Sequence, residues 1–165
     1  MKTQESDNVQ TELIRRHRRA RLVVIGFLVL DVALVAIAFF AAKFIYRPGD
    51  PTLIMALWIA ILVFGLGAFV LRRTKFMAMR LKDIAAVKGA SGLLKTLQDT
   101  TIQVASIGGA IALMGFVITI RTGDWTDMLR AGGVAAIVLI YCYPFRSAWQ
   151  RAVIQLAPEV RSEDI

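Results

Sequence analysis

The chain has 165 residues, a net charge of +8 and a sequence pI near 10.3. Hydrophobic residues make up 57% of it and charged residues 19%, against roughly 45–50% and 25% in ordinary soluble domains. So small a fold cannot bury that much apolar surface. This excludes an ordinary soluble domain, a disordered tail and a disulfide-stapled secreted module, and it requires the charges to be segregated from the apolar sequence.

Residues 1–21 read as a basic tail that holds Lys2, Arg15, Arg16, Arg18, Arg19 and Arg21. The first apolar run, 22–42, is interrupted only by Asp31. Its length fits a membrane-spanning helix, which needs roughly 17–25 residues. It exceeds the 7–15 residues of a signal-peptide core, so it reads as a signal anchor rather than a cleaved leader. An acid ten residues into a span costs about 2.5–3.5 kcal/mol on insertion scales. Asp31 is therefore the candidate functional acid. Counting depth from the basic ends places Leu62, Ile111 and Ala135 level with it, and none of them is polar. Three states fit such a residue: a neutral carboxyl bonded to a nearby carbonyl, a proton or cation site, or an acid met by another subunit.

Arg47-Pro48-Gly49-Asp50 forms a short turn before the second run, 52–71, which carries no charge. The connection 72–101 is rich in cations: Arg72, Arg73, Lys75, Arg80, Lys82, Lys88 and Lys95. Phe76, Met77, Leu81, Ile84 and Val87 recur at three- and four-residue steps, which predicts a short amphipathic helix. Gly89-Ala90-Ser91-Gly92 is expected to break it before a second short helical piece at Leu93, Leu94 and Leu97. The loop reads either as a projecting helical hairpin or as a helix lying on anionic headgroups. Arg72, Arg73, Lys75, Phe76, Arg80 and Lys82 are the candidate lipid or partner contacts.

The third run, 102–120, is uncharged and carries Ala105, Gly108, Gly109, Ala112 and Gly115. We read these as one small-residue stripe that lets helices approach closely. Gly132, Gly133 and Ala136 play the same part in the fourth span, 128–145, which is the shortest and places Pro144 in its last turn. Residues 146–165 form a second tail. The expected fold is thus an all-α integral membrane protein with four transmembrane helices and an amphipathic helical loop. Sixteen of the twenty Lys and Arg residues flank one side of these spans. The positive-inside rule then places both termini and the loop in the cytoplasm. The expected location is the cytoplasmic membrane of a prokaryote, with anionic lipid on the basic side.

A shift of 74 residues superposes the two outer turns. Arg47, Gly49, Asp50 and Thr52 fall on Arg121, Gly123, Asp124 and Thr126, within eight identities over 37 ungapped positions. The match fits a 2+2 parallel tandem repeat with the turns side by side. Local turn and capping chemistry accounts for the same residues. Chemistry-bearing motifs are sparse. The single histidine, His17, reads as a solvated member of the basic tail, and the single cysteine, Cys142, has no partner. No Walker loop, GxGxxG, HExxH or CxxC occurs. We therefore expect no catalysis, no cofactor and no nucleic acid. The expected role is an accessory, assembly or interaction subunit with a membrane-protein partner or a second copy. The alternative is an oligomeric proton- or cation-coupled transporter using Asp31.

Overall fold

The computed structural model describes the backbone of residues 2–75 and 78–145 and the side chains of 11–74 and 91–145. Four helices follow one another: α1 (Lys2–Ile45), α2 (Pro51–Lys75), α3 (Ala78–Thr122) and α4 (Trp125–Tyr141). No strand occurs among the described residues. α1, α2 and α3 each carry a stretch long and apolar enough to cross a membrane. α4 has 17 residues, or about 25 Å of helix, the lower limit for a hydrocarbon core of about 30 Å.

Neighbouring helices alternate in direction. Phe27 of α1 packs on Gly109 of α3, and Arg16 of α1 bonds Gln98 of α3, so these two helices run parallel. Gly115 and Gly108 of α3 face Ala131 and Leu139 of α4, which runs back. Gly65 and Phe69 of α2 meet Val134 and Tyr141 of α4, so this pair is also parallel. α3 is the central helix: 50% of its apolar stretch is buried, against 22% for α1 and 11% for α2. Large apolar side chains such as Val29, Phe40, Met55, Leu62 and Ile137 cover the outside. Helices that are apolar all round need an apolar surrounding.

The turns follow from their residues. Asp50 caps α2: its carboxylate accepts from the Thr52 N–H at 2.9 Å, and Pro51 takes the first helical position. Gly123 takes φ 73°, the left-handed conformation that ends α3 as its N–H donates to the Thr119 carbonyl. Asp124 then caps α4 through the Thr126 N–H, again at 2.9 Å. Hydroxyls inside the helices bond locally, as Thr101, Ser106 and Thr119 do to carbonyls four residues earlier. This satisfies a polar group without a partner helix.

Three expectations change. The break at Gly89–Gly92 does not occur: α3 is continuous through it. Arg72 to Lys75 of the connection are the last turn of α2, and from Ala78 onward it is the first half of α3. Each glycine costs about 1 kcal/mol of helix propensity, and burial of Leu93, Leu94 and Leu97 just beyond them outweighs it. Residues 2–21 are likewise part of α1 rather than a separate tail, since neither Gly nor Pro interrupts them. The fourth helix starts at Trp125 and ends at Tyr141, not 128–145. The Asp124 cap sets its start, and Pro144, which disfavours helix at the residue before it, lies past its end. The amphipathic pattern of Phe76, Met77, Leu81, Ile84 and Val87 and the segment 146–165 lie outside the described side chains.

Candidate intramembrane acid and helix contacts

Asp31 faces inward from α1 toward α4 and is only 3% exposed. It meets Gly132, where an added Cβ would stand 3.1 Å from Asp31 Oδ1 and 3.1 Å from Val35 Cγ2. The absence of a side chain at Gly132 is what admits the carboxyl. Oδ1 has no hydrogen-bond partner, and neither described ion pair, Arg16–Glu12 or Arg130–Asp127, involves Asp31. The acid is enclosed between α1 and α4 of the same chain. Its neighbour on α4 is Gly132, one turn from the expected Ala135, in line with α4 ending at Tyr141 rather than at 145.

The small residues divide between two faces. Gly108 and Gly115 meet Leu139 and Ala131 of α4, and Ala105 and Ala112 are fully buried. Gly109 instead receives the Phe27 ring of α1. Adjacent helical residues point 100° apart, so Gly108 and Gly109 cannot share one stripe. On α4, Gly132 meets α1, Ala136 is half-buried, and Gly133 is exposed with nothing near it.

The Arg-x-Gly-Asp turns lie against one another. The Arg47 N–H donates to the Ile120 carbonyl at 2.9 Å, Gly49 sits under the Arg121 side chain, and the Tyr46 ring covers Gly123. The Thr52 and Thr126 amides hold the Asp50 and Asp124 carboxyls below the usual carboxylate range. The cap is thus chemically the same in both turns. Their glycines differ, since only Gly123 has a positive φ.

The opposite end of the molecule holds the cations. Arg16 pairs with Glu12 at 2.7 Å and also donates to Gln98 at 3.2 Å, tying α1 to α3. Leu13 and Ala20 of α1 and Leu93, Leu94 and Leu97 of α3 are buried along this stretch. His17 is not solvated as expected: its Nε2 donates to the Pro144 carbonyl at 2.8 Å, anchoring the chain past α4. No sequence motif signals that bond, which depends on where α4 stops. Arg72 lies over the Tyr141 ring, 4.3 Å from its centre, and Tyr141 stacks on Phe69. Arg73 is exposed beside it. The side chains of Lys75, Phe76, Arg80 and Lys82 lie outside the described residues. Among the described residues, no three His, Cys, Asp or Glu side chains converge as a metal site would need. No protein-family model matches the chain, no curated protein matches its sequence, and no solved structure matches its fold.

Proposed function

We propose that this is a four-span protein of a prokaryotic cytoplasmic membrane, with both termini inside. It serves as an accessory, assembly or interaction subunit of a membrane complex and performs no catalysis of its own. The observation that carries this reading is the length of α1 and α3. At 44 and 45 residues, each extends for about 66 Å, roughly twice the hydrocarbon thickness of about 30 Å. Their amino-terminal halves therefore project from the bilayer as a paired stalk, tied by Arg16 and Gln98. The stalk leaves Arg15, Arg18, Arg19 and Lys95 exposed. Such a stalk offers a rigid basic contact surface to a partner. The excess of Lys and Arg at its end supports the cytoplasmic assignment. A tandem origin of the two halves belongs to the same reading, supported by the matching caps of Asp50 and Asp124.

Photocrosslinkers placed at Arg18 and Lys95, in cells, test the assignment. Adducts to one partner from both stalk positions, and none from Leu62 within the bilayer, are expected. Self-adducts alone would overturn it. In a Cys142→Ser background, an impermeant maleimide should label Pro48→Cys in intact cells and Ser91→Cys only after permeabilisation. The unpartnered Asp31 Oδ1 favours one second reading, a proton- or cation-coupled transporter that works as an oligomer. Proton flux in proteoliposomes that disappears in Asp31→Asn would select it.

A further inference from the structure

The seam between α2 and α4 leaves an open groove along the same helix faces that carry Arg72. The groove encloses about 590 Å³ and is lined by apolar side chains, among them Trp58, Leu62, Gly65, Val134 and Ile137. That volume lies within the range of roughly 300–1,000 Å³ typical of ligand pockets. On α2, Trp58, Leu62, Gly65, Phe69 and Arg72 follow at steps of four and three and so share one face. On α4, Val134, Ile137 and Tyr141 do the same. The two faces meet at the Phe69–Tyr141 stack, and beyond it the Arg72 guanidinium lies over the Tyr141 ring, with Arg73 exposed next to it in the chain. The apolar groove and the cation thus lie along one pair of helix faces, with the Phe69–Tyr141 stack between them.

We propose that this seam binds one anionic phospholipid, its acyl chain in the groove and its phosphate at Arg72 and Arg73. The proposal rests on the membrane-spanning reading but not on the identity of any protein partner. Length supports it. From Trp58 to Arg72 is about 21 Å along the helix, and half of a bilayer about 40–45 Å thick is about 20–22 Å. Charge supports it too. A guanidinium matches a phosphate in a bidentate manner. A second copy in the same orientation would bring its own Arg72 and Arg73 to the same place, and like charges repel there.

Trp58 supplies the reporter, because it lines the groove. The full chain carrying Trp125→Phe and Trp149→Phe is reconstituted in phosphatidylcholine bilayers containing either dibromo-phosphatidylglycerol or dibromo-phosphatidylcholine. Bromine quenches Trp58 only by contact. The expected result is about fivefold preference for the anionic lipid over its neutral counterpart. Arg72→Gln should remove most of that preference and Arg72→Lys should retain it. Gly65→Leu, which fills the groove, should weaken quenching by both lipids. Glycerol phosphate, which has no chains, should not compete. Equal quenching by the two headgroups with Arg72 and Arg73 unmutated would overturn the proposal. So would a preference that survives Arg72→Gln with Arg73→Gln, or crosslinking of Leu62 between two copies. Failure of the protein to float with the vesicles would instead count against the membrane-spanning reading.

Discussion

Gly115→Ala tests the packing of α3 on α4 most directly. An added Cβ at Gly115 runs into the Cβ of Ala131, far inside the ordinary carbon–carbon contact of about 3.5–4.0 Å. Ala131 has no flexible side chain that can swing away, so the helices themselves must separate. Overpacking of a close-packed site costs about 1–3 kcal/mol, and the better helix propensity of alanine returns up to about 1 kcal/mol. A net loss of about 1–2 kcal/mol is expected. Gly108→Ala should cost less, because it meets the branched end of Leu139, with Cγ at 2.9 Å. Gly133→Ala has nothing within 4 Å and should be neutral or stabilising by up to about 1 kcal/mol. The decisive variant is the double mutant Gly115→Ala with Ala131→Gly, which removes the clashing carbon from the other helix. It should recover stability, with a coupling of about 1–2 kcal/mol. Unfolding in mixed detergent micelles, followed by circular dichroism, reads these four variants and the single Ala131→Gly that completes the cycle. An equal penalty at Gly133 and Gly115, or no recovery in the double mutant, would refute the assigned faces.

Asp31→Asn keeps the shape of a side chain that packs on Gly132 and has an unbonded oxygen. Its thermal stability should stay within about 1 kcal/mol of the parent. A loss of about 3–5 kcal/mol, the cost of breaking a buried ion pair, would show that the carboxylate has a cationic partner. Asp50→Ala and Asp124→Ala should each lower the melting temperature at neutral pH, because each removes an N-cap. Both carboxyls titrate below their ordinary range when folded. The stability they contribute is therefore complete above the unfolded carboxylate range and is lost as pH falls through the lowered folded values. The difference between each variant and the parent should shrink in melts carried from pH 7 down to pH 3. A difference that grows toward acid would contradict the capping assignment.

Hydropathy alone located three helices able to cross a membrane, because apolar runs of 19–21 residues have few other uses. The register between helices was not legible in the same way. The apolar run puts the fourth helix at 128–145, whereas a cap at Asp124 moves it to Trp125–Tyr141. That shift exchanges Ala135 for Gly132 as the neighbour of Asp31. A cap is a local hydrogen bond and leaves no trace in hydropathy. The stripe on α3 was readable as small residues but not as two faces. The rotation between Gly108 and Gly109 is implicit in the helix, yet the partners that make it matter lie on α4 and α1. Gly89 to Gly92 reads as a break between two short helical pieces because the burial of the leucines after it is not visible in the sequence. Once Leu93, Leu94 and Leu97 are buried, continuing the helix through two glycines is the lower-energy course.

The same continuity gives α1 a mechanical property. No helix end separates the segment that carries Asp31 from the segment that carries Arg16. Any tilt or rotation of α1 beside Gly132 is carried along one rigid rod to its basic end. There the Arg16–Gln98 bond couples it to α3, and the His17–Pro144 bond couples it to the chain past α4. A tilt of α1 about its contact with Gly132 therefore reaches α3 and the chain past α4 through those two bonds.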